Sequence, residues 1–185
     1  MSFKREIQER IEAISSDKEL KSTAHNFMEA SIKPKYSYNF SWLGRPIIQY
    51  PQDIIAMQEI IWEIKPDLII ETGIAHGGSL IFSASLLELI ATCTGSEGEV
   101  LGVDIDIRMH NRKAIEEHPL FKRISMIQGS SIAPEIVAQV KKKPKAKVAF
   151  LSVWIPITPM ITCLRNWMLM RHWQPWAAIA WCLIH

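Results

Sequence analysis

The chain has few cysteines and few glycines, and its acids stop early. Its three cysteines, Cys93, Cys163 and Cys182, lack the paired spacing of a metal ribbon and the number needed for a disulfide framework. They suit a reducing, cytoplasmic setting. The first residues, Met1-Ser2-Phe3-Lys4-Arg5-Glu6, are charged and carry no apolar segment, so no signal peptide is expected. No acid follows Glu135. Residues 1–135 hold all 19 acids against 14 Lys+Arg, whereas residues 136–185 hold seven Lys+Arg alone. The pI of 8.4 therefore comes from the tail. No nucleic-acid-binding motif accompanies this charge, and a nucleic-acid partner is not expected. Glycine is absent after Gly129. The longest late uncharged run, Val148 to Leu164, is 17 residues with two prolines. That is short of the roughly 20 needed to span a bilayer, so a tail anchor is a minor alternative.

What is present suits one domain with a real core. Hydrophobic residues make up 48% of 185 positions, and no internal repeat is visible. Residues 3–30 read as helix, with Ile7, Ile11 and Ile14 at helical spacing and a break or cap at Ser15-Ser16-Asp17. Residues 33–52, with four aromatics plus Pro and Gly between Lys33 and Pro46, read as an irregular segment, either a lid over a ligand or a loop pinned by its rings. Pro51-Gln52-Asp53 opens a helix with a broad apolar stripe from Ile54 to Ile64.

The centre of the chain is Leu68-Ile69-Ile70-Glu71-Thr72-Gly73-Ile74-Ala75-His76-Gly77-Gly78-Ser79. It reads as a buried strand, a glycine turn and a helix start. A run apolar on both faces suits a parallel strand covered by helices. Gly73 permits a sharp turn, and Gly77 and Gly78 leave room for a ligand to approach the main chain. Ser79 opens an apolar helix whose first N–H groups attract an anion. The spacing G-x-x-x-G-G is not the dinucleotide pattern G-x-G-x-x-G. Glu71 at the strand's end can hold a cationic amino group while the turn's amides hold a carboxylate. A nucleoside carrying both groups, such as S-adenosylmethionine (SAM), fits. A strand-turn-helix whose glycines serve packing alone is the competing reading.

Strand and helix then alternate. Glu99 to Asp106 is a second strand, a helix runs from about Arg108 to Glu117, a third strand from Arg123 to Gln128, a helix from Ala133 to Lys142, and a fourth strand begins near Lys147. This order predicts an α/β fold, a parallel sheet flanked by helices with its site at the carboxyl ends of the strands. Asp104 stands where it can accept ribose hydroxyls, or cap a helix; Asp106 is the expected cap. Gly129-Ser130-Ser131 can meet an adenine edge or cap the next helix. His76 lines the pocket or caps the turn.

Tyr36 to Pro46, Pro51-Gln52-Asp53, the Glu71–Ser79 turn, Gly102 to Arg108 and Gly129-Ser130-Ser131 together resemble the cephalosporin hydroxylase / rhamnosyl O-methyltransferase family over residues 25–152. The resemblance implies the Rossmann-like SAM-dependent methyltransferase fold, incomplete here at the C-terminus, and O-methylation of a sugar or related small-molecule hydroxyl. It implies SAM as cofactor. Glu71, Gly73, Gly77 and Ser79 would meet its methionine end, with His76 and Gly78 in the same turn; Asp104 would meet the ribose, and Gly129 and Ser130 the adenine side.

The family continues its fourth strand into a segment like Leu-Asp-Ser-Asn-His-x-His-x-His-Val, which in related methyltransferases supplies a metal ligand. Here Val153-Trp154-Ile155-Pro156 follows instead, five of the seven tryptophans lie at or after Trp154, and the expected divalent-metal ligands have no counterpart. Trp is TGG and Ile begins AT, so Trp154-Ile155 read in a shifted frame contains GAT, an aspartate codon; Met160-Ile161 contains a second. The expected organisation is thus a helix and aromatic segment at 1–50, a partial SAM-binding domain at 51–152, and a frameshifted tail at 153–185. A non-catalytic SAM-binding remnant is the alternative to an active enzyme.

Overall fold

A computed structural model describes residues 2–143 and 148–152. The expected tail at 153–185 lies outside them. The described chain falls into two compact units that divide after Ser37.

In the first unit, Phe3–Ser16 (α1) and Lys18–Ile32 (α2) are the predicted helices. α1 buries no residue, and its polar flank is laced by i,i+4 pairs, Arg5–Glu9 at 2.9 Å and Arg10–Glu6 at 3.3 Å. Such exposed pairs contribute only ~0.3–0.5 kcal/mol each. Asp17 ends α1 and caps α2, its carboxylate accepting the Leu20 N–H at 2.9 Å. Phe27 meets Tyr36 edge to face, 5.4 Å between ring centres.

The second unit begins with a hairpin, Phe40–Trp42 (β1) and Arg45–Ile47 (β2), where an irregular segment was expected. Its two-residue turn, Leu43-Gly44, has positive φ at both positions, 44° and 84°. Hairpins favour this geometry because it matches strand twist, but Asn-Gly is its usual signature. Leucine at the first position hid the turn. The hairpin is pinned by Trp42, whose indole N–H donates to Ser85 Oγ at 3.0 Å and whose ring stands edge-on to Phe82.

Pro51–Ile64 (α3) follows, with proline at the first helical position and Lys65 closing the helix in the left-handed region. Then come Leu68–Thr72 (β3), Gly78–Thr94 (α4), Glu99–Asp104 (β4), Met109–Glu116 (α5), Ile124–Gln128 (β5), Pro134–Lys141 (α6) and Val148–Ser152 (β6). The last four strands form one parallel sheet in the order β5-β4-β3-β6. Every described residue of β3 is buried. Side chains alternate along it: Ile69 joins a core with α3 and α4, while Leu68 and Ile70 pack with α6 on the opposite face. α4 buries 11 of its 17 residues, as its continuous apolar sequence demands.

β4 ends at Asp104, two residues earlier than expected, and Asp106 does not cap α5. The N-cap position falls to Arg108, which makes no side-chain cap bond. Asp106 instead lies in a loop that turns away as soon as the Asp104 carboxylate accepts its N–H at 3.0 Å. Among the described residues no helix is long and apolar enough to cross a membrane.

Candidate active site

Parallel pairing aligns the carboxyl ends of β3, β4 and β5 on one edge. The Gly73 N–H donates to the Val103 carbonyl at 2.9 Å, and the Gly129 N–H to the Asp104 carbonyl at 2.8 Å. Between β3 and α4 the chain makes the predicted turn with left-handed backbone at Gly73 (φ 89°), Ala75 (47°) and Gly77 (83°). For Ala75 this conformation costs ~1–2 kcal/mol, so surrounding bonds must enforce it.

Those bonds come from three elements. From β4, Asp104 Oδ2 accepts the N–H groups of Ile74 (2.6 Å) and Ala75 (3.4 Å). From α5, Asn111 donates to the Ala75 carbonyl at 2.9 Å. From β2, Arg45 donates through Nε (3.0 Å) and Nη2 (2.5 Å) to the His76 carbonyl, and through Nη2 to Asn111 Oδ1 at 3.3 Å. Asp104 thus holds the turn's amides, while Asn111 and Arg45 hold its carbonyls. Sequence reading missed Arg45 and Asn111 because nothing local marks them; only the packing of hairpin and α5 against the turn gives them partners.

A shallow cleft, open to solvent, lies above the turn. Gly73, His76, Gly78 and Ser79 line it with Ile74 and Ala75, and the hairpin side adds Pro46 and Ile48. The other predicted residues stand behind or beside this wall. Glu71 is fully buried. Its Oε1 accepts from Ser79 Oγ, and its Oε2 has no hydrogen-bond partner. Burial pushes the Glu71 carboxyl up to about 8; the Ser79 hydroxyl opposes that shift and the negative charge of Asp104 adds to it.

The expected room at Gly77 and Gly78 is already filled. A Cβ on Gly78 would strike the Pro46 carbonyl oxygen and come within 2.6 Å of its carbon and 2.7 Å of Ile47 Cα. A Cβ on Gly77 would strike the Ile115 side chain. These glycines admit the hairpin and α5. Asp104 is likewise engaged at both oxygens by the chain's own amides. Gly129 packs against Ile136, whose Cδ1 would lie 2.5 Å from an added Cβ. Ser130 accepts the Ala133 N–H through its carbonyl at 2.9 Å, just ahead of α6.

The family described as Rhamnosyl O-methyltransferase/CmcI matches residues 34–154, which include the hairpin, the glycine turn and all four strands of the parallel sheet. The chain belongs to this family. A rhamnosyl O-methyltransferase of Mycobacterium leprae (strain TN) is 32% identical over 102 residues, 55% of this chain and 41% of the relative. A solved structure of CmcI with SAH superposes with a TM-score of 0.50 at 18% identity, over 71% of this chain and 58% of that one. An apo CmcI structure gives 0.50 at 18% over 70% and 51%. At this identity the structures speak to the fold, which is the α/β fold of CmcI. The chain spans less than half the length of the curated relative.

Among the described residues, no three His, Cys, Asp or Glu side chains are grouped so that they could hold a metal.

Proposed function

We propose that this member of the rhamnosyl O-methyltransferase/CmcI family binds SAM in the cleft above the Gly73–Ser79 turn and transfers its methyl group to a hydroxyl of a sugar or related small molecule. The observation that carries the reading is the turn itself. A left-handed loop at the carboxyl edge of a parallel sheet leads into the N-terminus of a buried helix, beside the cleft. The family match and the two relatives, one acting by its name as a rhamnosyl O-methyltransferase and one solved with SAH, support the ligand class.

The chemistry of the residues at this edge of the sheet supports such a ligand. The first amides of α4 have no intrahelical acceptor and suit its carboxylate. Gly129 and Ser130, at the end of β5, are assigned to the base, and Asp104, on β4 between them and the turn, to the ribose through the lone pairs that the Ile74 and Asp106 amides leave free. His76, exposed at the cleft rim, is assigned to lining. SAM supplies an electrophilic methyl when bound; this chain contributes position and exclusion of water.

A second reading, a SAM-binding remnant without turnover, rests on Val153-Trp154-Ile155-Pro156 standing where the resemblance implies the metal-ligating segment. Titration calorimetry with SAM and SAH, followed by methyl-transfer assays on rhamnosyl and other glycosyl acceptors, separates the readings. Binding with transfer supports the enzyme, and binding alone the remnant. Absence of binding refutes both.

A further inference from the structure

Glu71 is a fully buried acid near the carboxyl end of β3. It is 0% exposed, its Oε1 meets the hydroxyl of Ser79, and its Oε2 has no partner among the described residues. Ser79 in turn lines the cleft, whereas Glu71 does not. Among the described residues, the groups around it offer no compensating cation. On β4 the nearby charge is Asp104, another acid. On β6 its register partner is Leu151. The first turn of α4, Gly78 to Phe82, has no ionisable residue. The buried acid of α3 is Asp53. Arg45 is spent on the His76 carbonyl, and His76 is exposed. An ionised carboxylate here would leave a buried charge with one oxygen bare, which is a costly arrangement.

We propose that Glu71 is a positioning residue held as the neutral acid, donating its proton to Ser79 Oγ so that the Ser79 hydroxyl hydrogen is turned into the cleft as a donor to the ligand's carboxylate. This rests on the SAM-binding reading of the cleft. With the proton on Oε1, the bare Oε2 is a carbonyl oxygen rather than half of an anion, so the orphaned atom becomes tolerable. Ser79 joins the helix amides as a second kind of donor to the same anion. When Glu71 ionises, Ser79 must donate backwards to it and presents only lone pairs to the cleft. The direction is opposite to that of a carboxylate holding the ligand's amine.

The test uses the full chain and two variants, Glu71→Gln and Ser79→Ala. Glutamine keeps a permanent donor toward Ser79 and cannot titrate. SAM affinity is measured by calorimetry from pH 6.5 to 9.5. The ligand's own amine titrates in this range and cancels in the ratio of wild type to Glu71→Gln. The expected ratio is level at low pH and falls about tenfold per unit above the Glu71 pKa, while Ser79→Ala is weak throughout. A ratio that rises with pH overturns the proposal. Independently, the infrared difference spectrum at pH 7 should show one protonated-carboxyl stretch lost in Glu71→Gln and shifted in Ser79→Ala; its absence overturns the proposal. If no form binds SAM, the cofactor reading has failed, and the infrared result alone decides the state of Glu71.

Discussion

Gly78→Ala separates backbone crowding from backbone conformation. Gly78 is the first residue of α4 and has no left-handed φ, so alanine is conformationally welcome and its helix propensity favours it by up to ~1 kcal/mol. The added methyl, however, meets three atoms of the β2 main chain, the Pro46 carbonyl oxygen and carbon and Ile47 Cα. None can rotate aside as a side chain would. Overpacking costs ~1–3 kcal/mol, and a wholly backbone contact belongs at the upper end. After the propensity gain, the net loss is about 2 kcal/mol, or ~4–8 °C in Tm for a chain of this size. Because Pro46 also lines the cleft, its displacement should weaken SAM binding as well. Gly95→Ala is the control: φ is 75°, nothing lies within 4 Å of the added carbon, and the cost is ~1–2 kcal/mol without any change at the cleft. Urea unfolding measures the stabilities and calorimetry the affinities. A Gly78→Ala protein as stable as wild type, or more so, would refute the claim that hairpin and helix are in backbone contact.

Two further outcomes follow from the same geometry. The raised Glu71 pKa makes the native state hold a proton that the unfolded chain releases, so its contribution is fully present below 4.5 and is lost as pH rises to about 8. The unfolding free energy of wild type minus that of Glu71→Gln should therefore fall by about 1.4 kcal/mol per pH unit between those values and level off above them, as read from urea titrations. Arg45→Met removes the donors on the His76 carbonyl and should lower SAM affinity about tenfold; stability, read from the same urea titrations, should change by only ~1 kcal/mol, since that carbonyl is open to water. Unchanged affinity would show that the turn holds its shape without Arg45.

Much of the architecture was legible because local pattern and burial agree. The run Leu68-Ile69-Ile70 is apolar on both faces and becomes a strand covered on both. The largely apolar stretch after Ser79 becomes the buried helix α4. Where the pattern was ambiguous, a neighbour decided. Leu43-Gly44 lacks the usual turn chemistry, yet the hairpin forms because Trp42 finds Phe82 and Ser85. Asp106 was placed as a helix cap, but Asp104 had already captured its amide.

Residue types and their spacing by themselves determined that a parallel sheet would carry a glycine turn at its carboxyl edge, with acids at Glu71 and Asp104 beside it. Those depend on hydrophobic period and backbone freedom, which are properties of short stretches. The tertiary structure alone decided what each acid does. Asp104 was turned inward onto the turn's amides, Glu71 was sealed behind Ser79 with one bare oxygen, and Gly78 was claimed by the backbone of Pro46. Desolvation and hydrogen-bond partners are set by atoms distant in sequence, and no local pattern carries them.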